Sequence, residues 1–306
     1  INLPADKKAR LREINSALAD ENAGDLLSRV SMVFFNLTEA NTNDTLDAIA
    51  EEMTPLITAH YDNIALNEGL FQRIKYVYDH RDSLGLKGQE ARLTEKIYKS
   101  FERSGINLPA DKKARLREIN SALASLSLAF GNNVLKETND IVIELSENDL
   151  NGLPDAVKAS MAADAKAMGK EGYVVTMQKP SWIPFVTYSS RRDLREKVIR
   201  GYVSRCDRGN SADNKAVVDS MVNLRLEKAQ LLGFENWGSY KLDENMAKNP
   251  QAAYELMLQV WKPALKKAKE ELAEIQAYIN KEGGNFKAEP WDWWYYADKI
   301  RHEKFD

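Results

Sequence analysis

From Asp25 onward the apolar residues recur at intervals of three and four along almost the whole chain, a spacing that restricts it to a body of packed helices. Leu26, Val30, Val33, Phe34 and Leu37 mark a first face, which a polar break at Asn41–Asp44 ends. Helices are expected over Asp47–His60 and over Asn67–Arg81, the latter with Leu70, Ile74, Val77 and Tyr78 inward. DSLGLKG is a loop, followed by expected helices at Glu90–Arg103 and Pro109–Glu137. The stripe Leu116, Ile119, Leu123, Leu126, Phe130 is of the kind that more often builds core than a ligand site. Glycine (15) and proline (9) are few enough to leave such helices uninterrupted.

The period changes only between Asp140 and Met177. DIVIEL and GYVVTM are short, β-branched and bounded by polar turns, and so read as two strands of a small ribbon. Between them Ser146 is placed to cap a helix carrying Leu150, Leu153, Val157 and Met161. QKPSWIP, with two prolines in five residues, predicts an extended connector pinned by Trp182, Pro184 and Phe185.

The stretch Arg191–Asp243 holds two amphipathic helices. Ser190 and Asp193 suggest a capping box before a face of Leu194, Val198 and Tyr202, and GNSAD breaks that helix. Val217, Met221, Leu224 and Leu231 define the second, which Gly233 closes as the residue able to turn left-handed. Phe234 and Trp237 would then fold back as an apolar plug. Asn249-Pro250 opens the longest helix, to Asn280, with a heptad-like seam of Leu256, Val260, Leu265, Ala268, Leu272, Ile275 and Ile279 and a kink expected near Pro263. EGGN is a turn, and a last helix runs from Pro290 to Lys304.

Residues 1–19 recur without change at 106–124, after which the two copies diverge at once. Solenoid repeats drift and recur several times. A perfect, single and abruptly bounded repeat reads as an artefact, so 1–19 is taken as a helix of doubtful sequence and set outside the functional argument.

Several chemistries are disfavoured by the residues themselves. With 43 basic and 46 acidic residues the chain lacks the basic excess of a nucleic-acid binder, and no apolar run approaches the eighteen residues of a membrane span. The single cysteine, Cys206, makes no internal disulfide, and a reducing, cytoplasmic setting is expected. Arg205 and Arg208 would lower its pKa, yet no histidine adjoins it in sequence and a bystander thiol is the better reading. The three histidines, His60, His80 and His302, include no pair at four-residue spacing. His302 and Asp306 stand at that spacing, but Arg301 and Lys304 would oppose a cation there. Trp291, Asp292, Trp293, Trp294, Tyr295 and Tyr296 form the densest aromatic run, too wide around a helix to bury in one core.

A family resemblance rests on several stretches: LREK, DNKAVVDSMVNLRLEKAQLLGF and YKLDENMAKNPQAAYELM in the centre, LLSRVSMVFFNLTEANTND near the start, GYVVTMQKPSWIPFVTYSSRRDLREK in the middle, and PWDWWYYADKIRHEKFD at the end. Together they resemble the thimet-oligopeptidase/peptidyl-dipeptidase family of zinc metallopeptidases, and within it the bacterial peptidyl-dipeptidases, over roughly Asp20 to Asp306. The resemblance implies a mainly α, neurolysin-like N-terminal region. It divides into helices over 20–139, a β/α insertion and connector over 140–190, and helices over 191–306 that lead into a catalytic domain.

It further implies a parent that hydrolyses short peptides, releasing dipeptides from the C-terminus, with zinc on an H-E-x-x-H helix polarising the scissile carbonyl. That motif is not in this sequence, so the chain is expected to be the non-catalytic half, with no metal of its own and the missing C-terminal half as its partner. It would supply one wall of the substrate channel and be inactive alone. Trp291, Asp292, Tyr295 and Tyr296, in a W-D-x-x-Y-Y motif that leads into the catalytic half, are the candidate channel or interdomain residues. The alternative is a stand-alone helical binding module without catalysis, its Trp-Tyr helix an interface for a partner.

Overall fold

The computed structural model describes residues 24–305. The expected helix at 1–19 lies outside them. The rest is mainly helical with a single small ribbon, as the periodicity predicts. In chain order come α1 (Asp25–Ala40), α2 (Asp44–Ala65), α3 (Glu68–Asp79), α4 (Gln89–Arg103) and α5 (Ala110–Asp140). Strand β1 (Val142–Leu145), helix α6 (Asp155–Ala167), strand β2 (Tyr173–Thr176) and helix α7 (Lys179–Tyr188) follow. The remainder is α8 (Arg192–Val203), α9 (Lys215–Leu231), α10 (Trp237–Leu242), α11 (Pro250–Lys281) and α12 (Trp293–Phe305). Short 3₁₀ turns stand at Glu147–Asp149 and Pro290–Asp292.

Two compact units divide these elements. One runs through Gly131 and takes in Val217–Met246; the other comprises Asn132–Ala216 and 247–305. In the first, Leu66, Phe71, Phe101 and Ile106 form a core flanked by Leu70, Ile74, Ile97 and Tyr98. Ile106, Leu116 and Ile119 are buried, so the copy of the repeat at 106–124 is integral to this unit. Arg103 joins α4 to α10, donating to Asp243 (2.5 Å) and to the Tyr240 carbonyl (2.6 Å) while its guanidinium lies 4.7 Å from the Tyr240 ring centre. Arg115 grips Glu227 bidentately at 2.7 and 2.8 Å.

Gly233 (φ +85°) terminates α9 as expected, with its N–H donating to the Gln230 carbonyl and that of Phe234 to Ala229. These are the two bonds of a Schellman cap. Phe234 and Trp237 both pack on Tyr240, though each is only half-buried.

The second unit is built on the antiparallel ribbon, in which Ile143 faces Val175 and Leu145 faces Tyr173. Ile143, Leu145, Leu150, Leu153, Met161, Val175, Met177, Trp182, Phe185, Val186 and Val198 form one core. A tight crossing supports it: Gly152 (φ +86°) lies so close to Tyr188 that a Cβ would overlap the Tyr188 carbonyl oxygen. Only glycine meets both demands.

Several expectations fail here. The QKPSWIP connector is helical, as α7. Pro180 stands in the first turn, where no N–H is needed, and Pro184 forfeits one hydrogen bond while Trp182, Phe185 and Val186 beside it are buried. Ser146 caps the 3₁₀ turn with Asp149, and α6 starts only at Asp155. Ser190 is not a cap: its hydroxyl donates to the Asn151 carbonyl, and Asp193 binds Arg191. Along α1, Leu26, Val30, Val33 and Leu37 stay exposed. The seam of α11 is buried only at Ile275 and Ile279.

Candidate functional site

The Trp291–Tyr296 run spans the second 3₁₀ turn and the first turn of α12. Pro290 stands at the start of the 3₁₀ turn, with Glu289 before it and Asp292 closing a reciprocal cap. That cap aims the Asp292 carboxylate back into the unit, against α8. Arg192 and Arg195, one helical turn apart on α8, meet it there. Arg192 donates through Nε to Oδ1 (3.0 Å) and through Nη2 to Oδ2 (2.9 Å), and Arg195 through Nη2 to Oδ1 (3.0 Å). Arg195 also donates to the carbonyls of Ser189 (2.8 Å) and Trp291 (3.1 Å).

Asp292 is wholly buried and the Arg195 side chain only 1 % exposed, whereas Arg192 reaches solvent. The cluster thus holds two guanidinium charges against one carboxylate. Aromatic faces take up part of the excess: Arg195 lies 4.2 Å from the Tyr295 ring centre, and Arg192 lies 4.2 Å from that of Phe286. Arg200 stacks over Trp291 at 4.9 Å.

The four residues singled out from the sequence therefore fall in one place with unequal surroundings. Trp291, Asp292 and Tyr296 are buried and Tyr295 is half-buried. Tyr296 packs with Ile275, Ile279 and Ala288, and burial, then the charge of Glu282, pushes its phenol pKa up. Of the neighbouring tryptophans, Trp294 is exposed and meets Trp182 edge-on at 6.1 Å. The Trp291 and Trp182 indole N–H groups are buried without a hydrogen-bond partner among the described residues.

Arg192 and Arg195 were missed from the sequence. The available signal was that Arg195 lies three and seven residues before Val198 and Tyr202, on the apolar face of its own helix. A charge in that position needs a buried partner.

The chemistry considered around Cys206 is closed off. Cys206 is buried, and its surroundings, desolvation first and the charge of Glu137 next, push its thiol pKa up rather than down. Glu137, itself buried, accepts from the Asn210 side chain (2.6 Å) and from the Cys206 N–H (3.4 Å). Among the described residues no group of three or more His, Cys, Asp or Glu is placed to hold a metal ion. His302 lies 3.5 Å from Asp298, and Asp306 falls outside the described residues. No helix among the described residues is long and apolar enough to cross a membrane. A recess of about 380 Å³ between α11 and α12 has Ala277, Tyr278 and Ile300 in its lining. Its rim charges are already matched, Lys281 with Glu303 and Lys304 with Glu274.

Residues 185–306, which hold α8, the Asp292 cluster and α12, match the model of peptidase family M3. The match is to the family of the thimet oligopeptidases and peptidyl-dipeptidases. Among curated relatives it is 34 % identical over 298 residues to the dipeptidyl carboxypeptidase of Escherichia coli (strain K12), covering 95 % of this chain and 43 % of the relative. It is 33 % identical to oligopeptidase A of Salmonella typhimurium, covering 92 % of this chain and 42 % of the relative. It is also 27 % identical to the thimet-like oligopeptidase of Dictyostelium discoideum, covering 85 % and 38 %. The chain therefore spans less than half the length of these relatives.

Proposed function

We propose that this chain is the helical, channel-forming part of a zinc peptidase that hydrolyses short peptides and releases dipeptides from their C-termini. The observation that carries the reading is the 34 % identity to a dipeptidyl carboxypeptidase along 95 % of the chain. The described residues do not fit a zinc site, and no step through the metal is assigned to them. Their part is structural: the Arg192–Asp292–Arg195 cluster fixes the start of α12, and with it Trp291, Tyr295 and Tyr296, at the wall of the channel. The remaining length of the family would bring the zinc ligands and the general base, and is the partner of this region. A cytoplasmic setting accords with a free, buried Cys206.

The test compares the 306-residue chain with the uninterrupted product of its reading frame on a peptide with a free C-terminus and on its amidated counterpart. The longer product should release dipeptides from the free peptide only and lose the activity to a zinc chelator. The 306-residue chain should release none. Chelator-sensitive release by the 306-residue chain, or none by the longer product, overturns the proposal. The exposed apolar face of α11 favours one other reading, a helical binding module without catalysis. A stop codon directly after Asp306 would select it.

A further inference from the structure

Helix α11 carries one apolar stripe for its whole length: Tyr254, Met257, Leu258, Trp261, Leu265, Ala268, Leu272, Ile275 and Ile279, spaced by threes and fours. At its C-terminal end the stripe is covered, with Ile275 and Ile279 packed among Ala288, Tyr296 and Ile300. Over residues 254–270 every residue is exposed; Tyr254 (61 %) and Trp261 (59 %) are among the largest apolar side chains on the surface. The open part, 254 to 272, is about 27 Å long at 1.5 Å per residue. Such a stripe on a water-soluble helix marks an interface.

The covered end shows what kind of element fits. Lys299 pairs with Glu282 and Glu303 with Lys281, and Lys304 reaches back to Glu274, so α12 runs antiparallel to α11 towards its N-terminus. The open stripe continues this interface on the same face. Its one flank is basic: Lys262, Lys266 and Lys269 make no ion pair with any described residue, whereas Lys267 on the other side faces Glu270 and Glu271.

We propose that residues 254–272 of α11 seat an amphipathic helix with an acidic flank, supplied by the part of the family's length that this chain does not span. The inference rests on the reading of the chain as part of a longer peptidase and names where that remainder docks. A helix of the remainder extends the α11–α12 interface along α11, its apolar side on Met257, Leu258, Trp261 and Leu265 and its carboxylates beside the three lysines.

The test is oxidative footprinting of Met257 and Trp261, read by mass spectrometry, in the 306-residue chain and in the uninterrupted product of its reading frame. Both residues should react readily in the 306-residue chain and about tenfold more slowly in the longer product. Trp261→Ala and Leu258→Ala should leave the Tm of the 306-residue chain unchanged and lower that of the longer product. Equal reactivity in the two proteins overturns the inference, and so does a reading frame that stops at Asp306. Protection already present in the 306-residue chain, whether in a monomer or in a concentration-dependent dimer seen by light scattering, also overturns it. A longer product that protects Trp261 yet cleaves no peptide keeps this inference and removes the peptidase reading. One that cleaves peptides with Trp261 open does the reverse.

Discussion

Arg195 gathers three hydrogen bonds in the interior of the second unit, to the carbonyls of Trp291 and Ser189 and to the Asp292 carboxylate. It is buried, and Asp292 is the carboxylate it meets among the described residues. Asp292→Ala would strand two guanidinium groups, one of them fully desolvated, and should cost about 3–5 kcal/mol in denaturant unfolding. A loss under about 1 kcal/mol would show that solvent already screens the cluster. Asp213 gives a pH signature of a different sort. Hydrogen bonds from the Lys215 side chain, and then from the backbone N–H groups of Lys215 and Gly209, hold its pKa down at about 2, against 3.8 for a free carboxyl. A depressed carboxylate contributes stability that is complete above the unfolded value and lost as pH falls through the folded one. The contribution of Asp213 should therefore fade between about pH 4 and pH 2, and Asp213→Asn should flatten the stability profile in that window alone. Cys206, buried with a raised pKa, should react with a thiol reagent only as the protein unfolds.

At the scale of elements, what a sequence reveals depends on how local the cause is. The helices expected at Glu90–Arg103 and Pro250–Asn280 are observed at Gln89–Arg103 and Pro250–Lys281. Their ends are set by neighbours: the Asn249 side chain accepts from the Ala252 N–H three residues away (2.9 Å). Asn249→Ala should cost about 1 kcal/mol, measured by thermal unfolding. Helix α7 was hidden because its prolines argue against helix locally while the burial of Trp182, Phe185 and Val186 argues for it from outside. Much of the candidate site was legible as well, since W-D-x-x-Y-Y stands in plain sequence. Arg195 was not, because the carboxylate that justifies it lies 97 residues further on. Gly152→Ala tests the tight crossing beside α7. The added methyl meets the Tyr188 carbonyl and the left-handed backbone together, for an expected loss of about 2–4 kcal/mol.

On the scale of the whole molecule, two compact units share one chain that passes back and forth between them, since Val217–Met246 joins the first unit and the segment after it rejoins the second. Neither unit is therefore a simple stretch of sequence, and cutting the chain between them would leave each incomplete. The family match covers α8 through α12, whereas the dipeptidyl carboxypeptidase and the oligopeptidase A align with more than nine-tenths of the chain. The Arg195–Asp292 bond carries a consequence for synthesis on the ribosome. Translation proceeds at roughly 5–20 residues per second, so α8 is made about 5–20 seconds before its carboxylate partner exists. Throughout that interval Arg195 has no Asp292 to receive it and the second unit cannot close around the charge. The ribbon, α6 and α7 precede α8 in the chain and are free to assemble first, which makes the α8–Asp292 closure a late step of biogenesis. A ribosome stalled short of Asp292 would hold out an unfinished unit.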